Sequence, residues 1–230
     1  MVDDRHILVS CIFGDKFNRV YPAATERRCI FFSNNASLRS EVEAKGWEFR
    51  LTANQGLSPD YRVSSQQSKY IKFLQFLRDY RDLADVEAVT YFDHKFHVTE
   101  EHVKWVLANA DPAKSILIRT TPKLKVSISD EVKAAMGQER YAVNMDRTLR
   151  WLEGLRVAMG ISDRVRICNT GFIHYKNIHA VMPMLDQIYQ AVWELGQPEC
   201  QILWAALSQE FDDRIQRVEW KDLSPEWMTP

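Results

Sequence analysis

The chain has 230 residues, 46% hydrophobic and 27% charged. That balance predicts one globular domain over 1–230 and excludes disordered or collagen-like sequence. Thirty Lys and Arg against 31 Asp and Glu leave a net charge of −1, without the positive excess of a nucleic-acid binder. Four scattered cysteines, Cys11, Cys29, Cys168 and Cys200, have neither zinc-site spacing nor disulfide-scaffold density, which predicts a reducing, cytoplasmic setting. No stretch approaches the roughly 20 apolar residues of a membrane span.

Ile7–Phe13 is a near-continuous apolar run, the mark of a strand buried on both faces, and Gly14-Asp15 ends it in a turn. A second run, Cys29–Phe32, stops at Ser33-Asn34-Asn35. Ser37 is placed to cap a short helix that runs to about Lys45 and closes at Gly46. Trp47–Leu51 alternates as a third strand, and residues 52–63 read as loop. Tyr70, Phe73, Leu74 and Leu77 share one face of a helix predicted over Ser64–Tyr80. Val86–Phe92 reads as a central strand, followed by a helix capped by Thr99 and running through Asn109. Ser115–Arg119 is a short strand, and 120–128 is a loop or a polar strand.

Helical patterning resumes at Asp130–Met136 and again from Met145, where Met145, Leu149, Leu152 and Met159 form a stripe. Arg164–His174 reads as two short strands around Asn169-Thr170-Gly171. Ile178 to Val192 makes a long amphipathic face in which Pro183 marks either a kink or the true helix start. Ile202, Leu203, Ala206 and Leu207 make a last helix, and the tail from Lys221 reads as irregular. Trp151, Trp193 and Trp204 fall on helices and read as core; Trp220 and Trp227 near the tail read as partner surface. Strands alternating with helices predict an α/β fold with a mostly parallel sheet. Ligands in such sheets bind at the carboxyl ends of strands, which singles out Phe13-Gly14-Asp15, Ser33-Asn34-Asn35 and Asp93-His94-Lys95.

Within Tyr91–Val98, an acidic residue leaves a buried strand between aromatic and polar neighbours. A carboxylate there can hold a divalent cation or a ribose hydroxyl. Lys95 can offset a diphosphate as a point cation. His94, His97 and His102 suggest a transition-metal site, but an extended 93–97 segment would point His94 and His97 to opposite sides. The glycines of a dinucleotide fingerprint or a Walker loop are absent. Thr120–Lys125 is either a mobile acceptor loop or a plain solvated one, and Asp212-Asp213 reads as a solvated face.

The order of features resembles GT-A (Rossmann-like) nucleotide-sugar glycosyltransferases, and is similar to the glycosyltransferase-like family of plant wall-polysaccharide and bacterial capsule proteins. The matching features are Ile12-Phe13-Gly14-Asp15 with Tyr21-Pro22, Ile30–Asn34 and Gly46-Trp47. They continue through a lysine-bearing helix at Lys69 or Lys72, Asp93-x-Lys95, the Asn169–His174 segment, and Glu199-Cys200-Gln201. The sequence departs from the pattern twice. Lys95 stands where the second acid of Asp-x-Asp would be, and Cys200 stands where an acid would precede Gln201.

The resemblance implies a hexosyltransferase-like enzyme of glycan or polysaccharide synthesis, with a nucleotide-sugar donor and a saccharide or other hydroxyl acceptor. Asp93 would be catalytic and would bind ribose or Mn²⁺ or Mg²⁺. Phe13, Gly14, Asp15, Ser33, Asn34, Lys69, Lys72 and Lys95 would bind the donor. Glu199, with Asp146 behind it, would serve as base. Gln201 and His174 would lie on the acceptor side, His174 as a late metal or phosphate contact. Two other readings stand beside it: a non-catalytic nucleotide-sugar or glycan binder of the same fold, and a metal-dependent hydrolase using Asp93 and the nearby histidines.

Overall fold

The computed structural model describes residues 5–15, 19–121 and 125–219. Its centre is a seven-stranded sheet in the order β4-β3-β1-β5-β8-β7-β9. The strands are β1 (His6–Cys11), β3 (Cys29–Ser33), β4 (Glu48–Leu51), β5 (Ala88–Phe92), β7 (Ile116–Thr120), β8 (Cys168–Lys176) and β9 (Ile215–Val218). Pairings β1–β3, β1–β5, β3–β4 and β7–β9 are parallel, while β8 runs antiparallel to β5 and β7. Short β2 (Ala23–Ala24) and β6 (Val98–Thr99) pair separately.

The helices are α1 (Arg39–Glu43), α2 (Tyr61–Gln67), α3 (Lys69–Lys72), α4 (Glu100–Asn109), α5 (Ile128–Met136), α6 (Glu139–Ala142), α7 (Met145–Met159), α8 (Met182–Leu195) and α9 (Cys200–Leu207). They cover both faces of the sheet, which explains why β1 and β3 are buried along their whole length and mostly apolar. Along β1 the side chains alternate. Ile7, Val9 and Cys11 join the core under α3, α8 and α9, and Leu8 and Ile12 join the core under α1 and α4. Among the described residues no helix is long and apolar enough to cross a membrane.

Several local expectations change. Asn35, not Ser37, caps the turn before α1: its Oδ1 accepts from Ser37 N at 3.1 Å. Gly46 is required past that helix, since its φ is +83° and a Cβ would lie 2.6 Å from the Ala23 carbonyl. The predicted Ser64–Tyr80 helix starts earlier, at Tyr61 behind the cap Asp60, divides into α2 and α3, and ends at Lys72; Leu74 sits at φ +58° before a 3₁₀ turn. The predicted pair of strands in 164–174 is one nine-residue strand, β8, with a register shift opposite Ile118–Thr120. Gly171, read as a turn, lies inside it.

On α7 the buried face is Met145, Thr148 and Leu152, while Leu149 is 44% exposed. The face that α7 packs toward α5 and α9 is therefore rotated from the predicted stripe. Pro183 lies in the first turn of α8 and marks its start. Trp204 is core, stacked 6.3 Å from Phe73, whereas Trp193 is 40% exposed. Strand β9 had no sequence reading, because Ile-Gln-Arg-Val is short and does not alternate. The readings for Trp220, Trp227 and the tail lie outside the described residues, as do residues 122–124 of the 120–125 loop.

Candidate functional site

From β1 the chain steps outward to β3 and β4 on one side and, through β5, to the other strands on the opposite side. This reversal opens a crevice beyond the carboxyl ends of β1 and β5. A cleft of about 450 Å³ fills it, lined by Phe13–Asp15, α2 and α3, Tyr91 and Asp93–Lys95, Asn169–Gly171, and Glu199–Gln201. The volume falls within the usual range for a small-molecule site.

Period-two alternation puts Asp93 on the same side as Tyr91, the side covered by α3. Asp93 Oδ1 accepts from Tyr91 OH at 2.7 Å and pairs with Lys72 Nζ at 3.2 Å. Its backbone N–H donates to the Gly171 carbonyl at 2.8 Å. A Cβ on Gly171 would stand 2.8 Å from both Asp93 Oδ2 and Asn169 Oδ1, so glycine keeps a notch open between them. Burial pushes the Asp93 carboxyl up, but Lys72, the Tyr91 hydroxyl, Lys69 and His94 outweigh it and hold the pKa at about 2. Its side chain remains 37% exposed, open to the cleft.

Lys69 and Lys72 are three residues apart on one helical face. Lys72 is fully engaged: besides Asp93 it lies 3.5 Å from Thr170 Oγ1 and 5.1 Å above the Tyr91 ring. Burial favours its neutral form, but Asp93 reverses that and raises the pKa. Lys69 is 6% exposed, and its Nζ makes one hydrogen bond, 3.3 Å to Ser68 Oγ. Among the described residues no carboxylate lies within ion-pair distance of it, and burial lowers its pKa. Lys95 leaves the strand direction at a turn closed by Phe96 N to Asp93 O, and stands exposed on the rim. Asp93 therefore pairs with Lys72 rather than with Lys95.

Phe13, Gly14 and Asp15 line the cleft. Gly14 has φ +99°, and a Cβ there would collide with Ser64 Oγ. Ser33 and Asn34 do not line it. Ser33 is buried and accepts from Asn35 N, while Asn34 Oδ1 accepts from Gly14 N at 2.8 Å. Asn34 Nδ2 donates to Gly56 O and Gln67 Oε1. These two residues brace the Gly14 turn instead of forming the wall.

Glu199 and Gln201 reach the cleft at the start of α9. Glu199 caps this helix, its Oε1 accepting from Gln201 N at 3.0 Å. Burial, with help from Glu131, raises its pKa against that bond and the two lysines. Gln201 Nε2 donates to Glu131 Oε1 at 3.0 Å, and Lys125 holds the other oxygen of Glu131 at 2.6 Å. Cys200 Sγ contacts Thr170 Oγ1 at 3.2 Å.

Asp146 is exposed on α7 and does not line the cleft. His174 lies inside the sheet, away from the cleft, with Nδ1 2.9 Å from Thr90 Oγ1, which in turn is 2.8 Å from His6 Nε2. Burial, then His6 and Lys176, lowers its pKa to about 3. The other histidines diverge: His94 lines the cleft, the His97 ring lies tilted against Tyr21 at 4.5 Å, and buried His102 caps α4 by accepting from Thr99 N at 3.1 Å. Among the described residues no three His, Cys, Asp or Glu converge to hold a metal ion.

Sequence reasoning missed Tyr61, Ser68, Arg140 and Tyr141 in the lining, and the role of Tyr91 as a partner of Asp93. The two-residue spacing of Tyr91 and Asp93 was a usable signal for that partnership. No local pattern marks the others.

No family model matches the chain, and no curated protein matches its sequence. Solved structures do. Mouse xyloside xylosyltransferase 1, in its apo form, superposes with a TM-score of 0.54 at 10% identity, over 93% of this chain and 84% of that one. The apo structure of WbbM, a bifunctional glycosyltransferase, gives 0.51 at 9% identity, over 94% of this chain and 39% of WbbM, so the chain spans well under half of that protein. The α/β fold is thus the GT-A-like fold of these glycosyltransferases.

Proposed function

We propose, from this glycosyltransferase fold, that the chain transfers a sugar from a nucleotide-sugar donor to a saccharide or other hydroxyl acceptor. The observation that carries the reading is the convergence of Asp93, Lys72, Lys69 and Lys95 on one cleft at the carboxyl edge of β1 and β5. In transfer, an acceptor oxygen bonds to the anomeric carbon. The bond from that carbon to the diphosphate breaks, and the electron pair leaves on the diphosphate. Groups fixed in place before reaction stabilise that growing charge most effectively, and Lys69 and Lys72 are buried on α3. Asp93 Oδ2, facing the notch above Gly171, can accept from a donor hydroxyl.

Glu199 would take the acceptor proton. Its raised pKa brings it nearer neutral pH, where a general base works best. Among the described residues Oε2 makes no hydrogen bond, leaving it for the acceptor.

The test is hydrolysis and transfer across UDP-, GDP- and CMP-sugars. Glu199→Gln is expected to lower turnover by about 10²–10⁴-fold while donor binding persists, and Asp93→Ala to weaken donor binding. Binding of a nucleotide sugar without turnover by the unaltered chain would turn the reading to a binding protein of the same fold. Failure of every nucleotide sugar to bind would overturn it.

A further inference from the structure

A divalent cation is what the fold leads one to expect beside the donor diphosphate, and the residues present do not suit one. Hard cations take six or more oxygen ligands, with carboxylates foremost. Here the strand-end carboxylate, Asp93, already holds the Lys72 ammonium at 3.2 Å, and the position two residues on is a lysine. Three lysines line the same cleft and would repel a second cation.

Among the described residues Lys69 and Lys95 have no ion-pair partner, and of the two only Lys69 is buried. Lys69 is nine-tenths buried, faces the cleft, and uses one of its three donors, on Ser68 Oγ at 3.3 Å. An ammonium held this way is costly in the unliganded protein. Lys72, one turn along, has Asp93, Thr170 and the Tyr91 ring.

Resting on the transfer reading above, we infer that the Lys69 ammonium, with Lys95 at the rim, takes the place of a metal ion and binds the donor diphosphate directly. Asp93 with Lys72 forms the fixed floor of that subsite. The same contact would hold free pyrophosphate or a nucleoside diphosphate. Lys69 is then a residue kept for binding at the expense of stability, and its removal has a sign that a merely structural lysine would not show.

The experiment measures binding of inorganic pyrophosphate, UDP, GDP, UDP-glucose and GDP-mannose by calorimetry and thermal shift, in EDTA and then with Mn²⁺. At least one diphosphate is expected to bind in EDTA, with affinity changed less than threefold by Mn²⁺. Lys69→Met is expected to raise the melting temperature of the unliganded chain and to weaken that ligand at least tenfold. Diphosphate binding that vanishes in EDTA and returns with Mn²⁺ overturns the inference and leaves the transfer reading standing. A lowered melting temperature with unchanged affinity in Lys69→Met overturns it too. If none of the five ligands binds under either condition, the inference falls, and the transfer reading falls with it only if the rest of the nucleotide-sugar panel, CMP-sugars included, also fails to bind.

Discussion

At the scale of single residues, Lys69 and Lys72 leave α3 one turn apart and meet different electrostatic surroundings. Removing Lys72 would leave the half-buried Asp93 carboxylate without its cation. Breaking a fully buried pair costs about 3–5 kcal/mol. Because the Asp93 side chain is 37% exposed, solvent screening reduces this to about 1–3 kcal/mol for Lys72→Met. The pH dependence follows from the depressed carboxyl. With a folded-state pKa of about 2 against an ordinary 3.8, the contribution of Asp93 is complete above pH ~4 and is lost as pH falls from there through 2. Chemical denaturation of the unaltered chain should show that loss. In Lys72→Met the same acid limb should be shallower, and an unchanged limb would contradict the pairing.

At the scale of elements, α4 shows how far a cap can be read and where reading stops. Thr99 and the acids after it announce the helix start, and α4 runs Glu100–Asn109 as expected. The reciprocal acceptor is His102, whose Nδ1 takes the Thr99 N–H. Burial, reinforced by His97, lowers its pKa to about 4. A histidine depressed in the folded state stabilises above its ordinary pKa and loses that contribution as pH falls from 6.5 through 4. His102→Gln keeps an acceptor for the Thr99 N–H, as glutamine does in a capping box. Stability at pH 7 should change by less than about 1 kcal/mol, and its decline between pH 6.5 and 4 should flatten. The interruption of the 64–80 helix at Leu74 had no such local sign. The left-handed backbone there costs free energy that the packing of Phe73, Leu74 and Phe76 into the sheet core offsets.

At the scale of the whole molecule, the cleft gathers segments far apart in the chain: the turn after β1, α2 and α3, the end of β5, the start of β8, and the start of α9. A ligand there should slow amide exchange in all of them together. Hydrogen exchange with a nucleoside diphosphate is expected to protect 13–15, 61–72, 93–95, 168–171 and 199–202, and to leave the sheet edges β4 and β9 unchanged. Protection confined to one segment would show a ligand bound elsewhere.

Apolar runs bounded by turn residues were enough to place β1, β3, β5 and β7 and the strand-end position of Asp93, because burial on both faces and capping chemistry are written into neighbouring residues. The class of fold followed from the alternation of strands and helices. The direction of β8, the notch at Gly171, the enclosure of His174 against Thr90, the bracing role of Asn34, and the choice of Lys72 over Lys95 as the partner of Asp93 came only with the tertiary structure. Each depends on which strand lies beside which and on which face a side chain meets, and that is decided by contacts between segments that share no local pattern.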